Sequence, residues 1–221
     1  MPSQIFSSTN DGYQMSGLQS SWDAAHDAVG LNNPDINNTR DSIQGVRYEY
    51  VSGRGSVQYF LVRSFFDFDT SDIEIKPSDA VFYFTSYSNA AATPCIVAKS
   101  GHDTSTATDD WFSTWITGQS VTLSEWDEDD ITAYSASTAL SSAGSATSFT
   151  LNDDGLTDMR DGDLLKICLL HTNDYNDTAP TSGTLRTGMY WTEYGGATRP
   201  NILYTPGVVS ADNATFFGAN F

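Results

Sequence analysis

Carboxylates are the most numerous reactive groups in this chain, and they are densest in EWDEDD, residues 125–130. A glycoside hydrolase needs two carboxyl groups on either side of the scissile bond, so Glu125 and Asp127 are the pair to test for that chemistry. A run of like charges favours a solvated loop over an acid–base dyad, and the loop is the expectation. NDDGLTDMRDGD at residues 152–163 and GHDTSTATDD at residues 101–110 offer hard oxygen ligands. Neither has the order of acids, glycine and closing glutamate of an EF-hand loop, although one structural calcium ion there stays open. His26, His102 and His171 form no helix-spaced pair and flank no cysteine ligand, which argues against a transition-metal centre. Cys168 and His171 are three positions apart on a strand and so face opposite ways. No nucleophile elbow, phosphate loop or dinucleotide fingerprint occurs. The expectation is a protein without catalytic residues or cofactor.

Aromatic residues offer the remaining chemistry. In DWFSTWI, Trp111 and Trp115 are four apart and share one face of a strand with Ser113. Together with Trp22, Trp126, Trp191 and Tyr194 they either stack on sugar rings or fill a core, and core filling is the leading reading. The closing stretch DNATFFGANF holds Phe216, Phe217 and Phe221 in a segment too polar to fold alone, which marks them as assembly contacts.

These residues must be positioned by short strands. VRYEYV, SVQYFLV, DAVFYFTSY, CIVAK, WFSTWI, SVTL, TSFTL, DLLKICLLH, TLRTGMYW and NILYT alternate with turn clusters such as SGRGS, KPSD, NDDG, RDGD and APTSG. That spacing predicts a single all-β antiparallel sandwich over residues 45–205. Residues 1–44 read as a polar arm or long loop with one short helix in SSWDAAHDAV, and residues 206–221 as a tail. Within VRSFFDFDTSDI, residues 62–73, period two places Val62, Ser64, Phe66 and Phe68 on one face with Phe60, facing the core. Tyr59, Leu61, Arg63, Phe65, Asp67 and Asp69 take the other, which begins apolar and ends charged, as expected of a central strand whose end emerges from the sandwich. Asp67 and Asp69 are then strand-end and turn residues. In DLLKICLLH, Leu165, Ile167 and Leu169 point inward and Lys166 away.

Composition narrows the partners. With 28 acidic against 10 basic residues, a formal charge of -18, the chain repels nucleic acid and anionic membranes. No run approaches the roughly 20 apolar residues of a membrane span, and MPSQIFSSTN lacks the basic and apolar parts of a secretory signal. Cys95 and Cys168 lie in apolar runs and read as core thiols, with a disulfide between them left open. The Asn-X-Thr tripeptides at Asn37, Asn176 and Asn213 carry no assigned function.

Three stretches, VRSFFDFDTSDI with DAVFYFTSY, SFTLNDDGLTDMRDGDLLKICLLH, and RPNILYT, resemble the DNRLRE-type domains. Those are jelly-roll sandwiches similar to carbohydrate-binding modules, with an RSFLRFD-like strand, an ATLRLYV-like strand and a closing RPYLxVTY-like strand. The resemblance covers about residues 57–205. It implies the jelly-roll fold and a last strand opening at Arg199-Pro200. Taken together, the expectation is a non-enzymatic bacteriophage virion protein, exposed as a capsid decoration or on the tail and assembled in the host cytoplasm. Its expected partners are other virion proteins, copies of itself and, weakly, glycans. The alternatives are an extracellular carbohydrate-binding module and, less favoured, a glycoside hydrolase.

Overall fold

The computed structural model describes residues 1–8, 11–27, 35–36, 40–53, 56–89, 93–101 and 131–208. The expected strands within that range all form, and every pairing is antiparallel. The strand β5 (Ser56–Asp69) organises them. It pairs with β4 (Arg40–Gly53) over its first half, with β10 (Leu164–His171) over its second, and with β2 (Gly12–Met15) around Val62–Phe65. From β10 the ladder continues to β7 (Pro94–Lys99) and β8 (Thr138–Ala139). From β4 it continues to β11 (Thr184–Tyr190) and on to the end of β6 (Asp79–Asn89).

The first half of β6 belongs to a second layer, between β9 (Ala146–Thr150) and β12 (Asn201–Thr205), with β1 (Ser3–Phe6) outside β12. The short β3 (Asp35–Ile36) pairs with β2. The chain is therefore an all-β sandwich whose two layers share β6.

Between the layers lies an aromatic core. Val62, Phe66 and Phe68 of β5 meet Phe82 and Phe84 of β6, Phe149 of β9, and Leu165, Ile167 and Leu169 of β10. Phe66 and Phe82 stand 5.3 Å apart between ring centroids, and Phe82 stacks on Phe149 at 6.2 Å. Each such side chain taken from water contributes roughly 1.5–3 kcal/mol, which makes this layer the main source of stability. The inward face read from period two is the observed one.

The opposite face of β5 departs from expectation. Only its last residue, Asp69, emerges into solvent, and Leu61, Arg63, Phe65 and Asp67 are all buried. Phe65 packs with Ile96, Ile131 and Leu170, and much of the rest is covered by the stretch expected to be an arm. Residues 12–15 add β2, Gln19 bridges to Tyr59, and the helix α1 (Trp22–His26), capped by Ser21 as the sequence suggested, packs beside Tyr48 and Leu61. Ser7 meanwhile bridges to Phe68, and β1 completes the edge of the other layer. The polar N-terminal sequence hid these strands because their partner faces are themselves polar or aromatic. Asp67, two residues short of the end of β5, is consequently buried and accepts from the Ser8 hydroxyl. Asp69 is the turn residue expected, accepting from the Ser71 amide at 3.1 Å and its hydroxyl at 2.6 Å.

The acidic stretch read as turns folds instead as α2 (Asp153–Asp161). The Asn152 side chain accepts from the Gly155 amide, Asp153 and Asp154 sit in the first turn, and Arg160 sits in the last, an order that suits the helix dipole. Leu156 and Met159 enter the core. Gly155, which made NDDG look like a turn, is a packing glycine: a Cβ there would come within 3.3 Å of the Tyr134 ring and of Leu151.

Cys95 and Cys168 are free and fully buried in different clusters. Burial pushes both thiols well above their ordinary pKa.

Candidate functional site

The strongest concentration of reactive groups lies behind β5. Arg63, in the middle of an apolar strand, forks onto Asp174 of α3 (Thr172–Tyr175), with Nε donating to Oδ2 at 2.7 Å and Nη2 to Oδ1 at 2.6 Å. The same Nη2 donates to the His26 carbonyl at 3.2 Å. His26 Nε2 lies 3.0 Å from the Asp174 carbonyl oxygen and Nδ1 2.8 Å from Asp27 Oδ1. Arg63, Asp174 and His26 expose no more than 1% of their surface. A charge removed from water this far needs its partner, and the bidentate fork supplies it.

Aromatic residues close the cluster. The His171 ring stacks on Tyr48, 4.2 Å apart and 2° from parallel. Its Nδ1 accepts from the Asn173 amide at 3.0 Å, so the proton of the neutral ring sits on Nε2, which is buried with no hydrogen-bond partner among the described residues. Burial drives the His171 pKa down to about 4, with the Asp174 carboxylate opposing. The Tyr48 phenol donates to the Thr178 carbonyl and is pushed up to about 12, chiefly by burial. Trp22 donates its indole N–H to Asp177 at 2.6 Å. Asp177 follows the short helix at φ 46°, in the left-handed region that glycine usually fills. The indole bond rewards an aspartate there. The cluster ties α1 and α3 to β5, with Arg63, His26 and Asp174 shut away from solvent.

Sequence reasoning missed this cluster, because residues 26, 63 and 174 are far apart in the chain. The available signal was a lone arginine amid the hydrophobic residues of β5.

The surface carries three features of another kind. Five of the eight large hydrophobic residues exposed among the described residues, Met1, Phe6, Ile75, Leu203 and Val208, lie on or beside the β1–β12 pair. Arg199 lies over the Phe6 ring at 4.7 Å from its centroid. Along β1 runs a groove of about 360 Å³ lined by Gln4, Ile5, Phe6, Asp69, Asp72, Ile73 and Tyr204. It adjoins a hollow of about 230 Å³ reaching Glu74, Ile75, Pro206 and Gly207. Elsewhere, Tyr190 packs on Tyr194 at 4.6 Å and on Tyr87 at 5.2 Å, and Tyr194 is 47% exposed. A third hollow, about 200 Å³, holds Lys99 and Lys166, with Lys99 paired to Asp158 at 2.7 Å. The Tyr134 phenol also donates to Asp158, and burial holds its pKa well above the ordinary value.

Of the residues singled out from sequence, Trp191 is corrected. It is fully buried, stacked 5.6 Å from Phe66, and cannot meet a glycan. Trp22 is a lid on the polar cluster. Tyr194 stands at the surface. Trp111, Trp115, Trp126, Phe216, Phe217 and Phe221 lie outside the described residues, as do Glu125, Asp127 and His102. Among the described residues no group of three or more His, Cys, Asp or Glu is placed to hold a metal ion. No helix among them is long and apolar enough to cross a membrane. No protein-family model matches the chain, and no curated protein matches it.

Proposed function

We propose that this protein is a non-enzymatic structural component of a bacteriophage particle, borne on the capsid surface or the tail and attached through its terminal strand pair. The observation that carries the reading is the gathering of exposed apolar residues around β1 and β12. Contiguous apolar surface on a soluble domain usually marks a protein contact. The side chains with most catalytic potential, Arg63, Asp174 and His26, are meanwhile spent on joining α1 and α3 to the sheet. The strong negative charge keeps such a protein off packaged nucleic acid. The test is mass spectrometry of purified particles from a phage encoding this chain, with and without residues 206–221. The protein is expected in the particles at a copy number comparable to other structural proteins, and its absence from them overturns the reading.

The second reading is a carbohydrate-binding module, in line with the resemblance to DNRLRE-type domains and the jelly-roll connections it implies. The Tyr87–Tyr190–Tyr194 group favours it, because exposed rings stack on sugars without needing charge. Retention on neutral glycans that is lost in Tyr194→Ala would move the protein into that class.

A further inference from the structure

The groove beside β1 has a definite chemistry. Its wall is β1, the end strand of its sheet, and although Ser7 just beyond it bridges to Phe68 of β5, the outer edge of Ser3–Phe6 carries no ladder among the described residues and borders the groove. An edge of this kind offers backbone N–H and C=O groups to an added strand. The floor is apolar, formed by Ile5, Ile73 and Tyr204, and the adjoining hollow ends on Ile75, which is 40% exposed. The rim is acidic. Asp69, Asp72 and Glu74 are all exposed, while Lys76 is engaged by Asp153 and Arg199 lies over Phe6.

We propose that the groove takes an extended segment of another protein, in which apolar residues alternate with lysine or arginine, added as a strand against β1. Successive side chains of a strand point to opposite faces. One set of the incoming residues covers the isoleucine floor, and the other reaches the carboxylates of the rim. Charge complementarity chooses between occupants. The chain's own residues 209–221 contain one aspartate and no basic residue, and a second copy brings the same acidic surface, so neither matches the rim. The inference rests on reading the terminal strand pair as an attachment surface, not on the partner's belonging to a phage. Absence of the protein from particles would thus leave it standing.

The probe is a fluorescein-labelled peptide of alternating lysine and valine, about ten residues long, with a glutamate–valine peptide and a block lysine-then-valine peptide as controls. Added to the full chain, the alternating basic peptide is expected to bind and to slow amide hydrogen exchange at Gln4 and Phe6, whose N–H groups point away from β12. Asp72→Asn combined with Glu74→Gln, both at exposed positions, is expected to weaken binding about tenfold while leaving the melting temperature unchanged. Equal binding of the block peptide would reduce the effect to bulk charge and overturn the proposal. So would peptide binding without protection of β1. Faster β1 exchange after truncation at Val208, without peptide, would show the chain's own tail in the groove. Protection that rises with protein concentration would show a second copy there.

Discussion

The two faces of β5 are built from the same fourteen-residue strand by opposite means. One face sets Val62, Phe66 and Phe68 against a second layer of aromatic rings, where shape alone makes the fit. The other sets Arg63 against Asp174 and His26, under a cover of Trp22 and Tyr48. The aromatic face gains from every ring added, whereas the polar face holds only while all of its partners are present. Both faces are buried from Leu61 to Phe68, yet they differ in their tolerance to substitution.

The largest losses are expected where either face is emptied. Phe66→Ala leaves a cavity and Arg63→Ala strands the Asp174 carboxylate, each costing about 3–5 kcal/mol in denaturant unfolding. The comparison sharpens in the double variant Arg63→Met with Asp174→Leu, which should recover most of the Arg63→Ala loss. No second substitution of comparable size should do so for Phe66→Ala. Failure of the double variant to recover would mean that the polar face is held by more than its charges.

Acid separates the faces next. His171 binds its proton near pH 4 in the folded state and near its ordinary value of 6.5 when unfolded, so the unfolded chain takes up more protons between those values. Stability should fall as pH drops from about 6.5 to about 4, by up to about 3 kcal/mol, and that slope should flatten in His171→Gln. Melting temperatures across that range check it.

Trp22→Phe keeps the ring but removes the N–H to Asp177, and about 1 kcal/mol is the expected cost. The smallest effect belongs to the outer surface, where Phe6→Ser should change stability by no more than about 0.5 kcal/mol while weakening any partner docked on β1.

The aromatic face was legible in the sequence and the polar face was not, for a physical reason. Period two is a local rule, so Phe66, Phe68, Leu165 and Ile167 announce their direction within a few residues. Arg63 and Asp174 acquire their meaning from each other across 111 positions, and no local pattern encodes that meeting. The same limit explains the N-terminal residues, whose polar strands are specified by the faces they cover rather than by their own alternation. It also explains α2, where a packing glycine and an acidic first turn imitated a loop. Trp191 stands beside Tyr194 as a glycan-contact candidate in the sequence because nothing in its own neighbourhood separates it from that residue, three positions on and at the surface.

The strand β6, shared by both layers, also sets how the molecule would bear a load. A pull on the chain beyond Val208, directed along β12, acts in shear on the five paired positions that join Asn201–Thr205 to β6. The hydrogen bonds of that ladder would have to yield together instead of peeling one by one. Since the far end of β6 is paired to β11, the tension passes directly into β4 and β5 without crossing a loop. A tether at this terminus would thus be anchored in the middle of the fold and not at its rim.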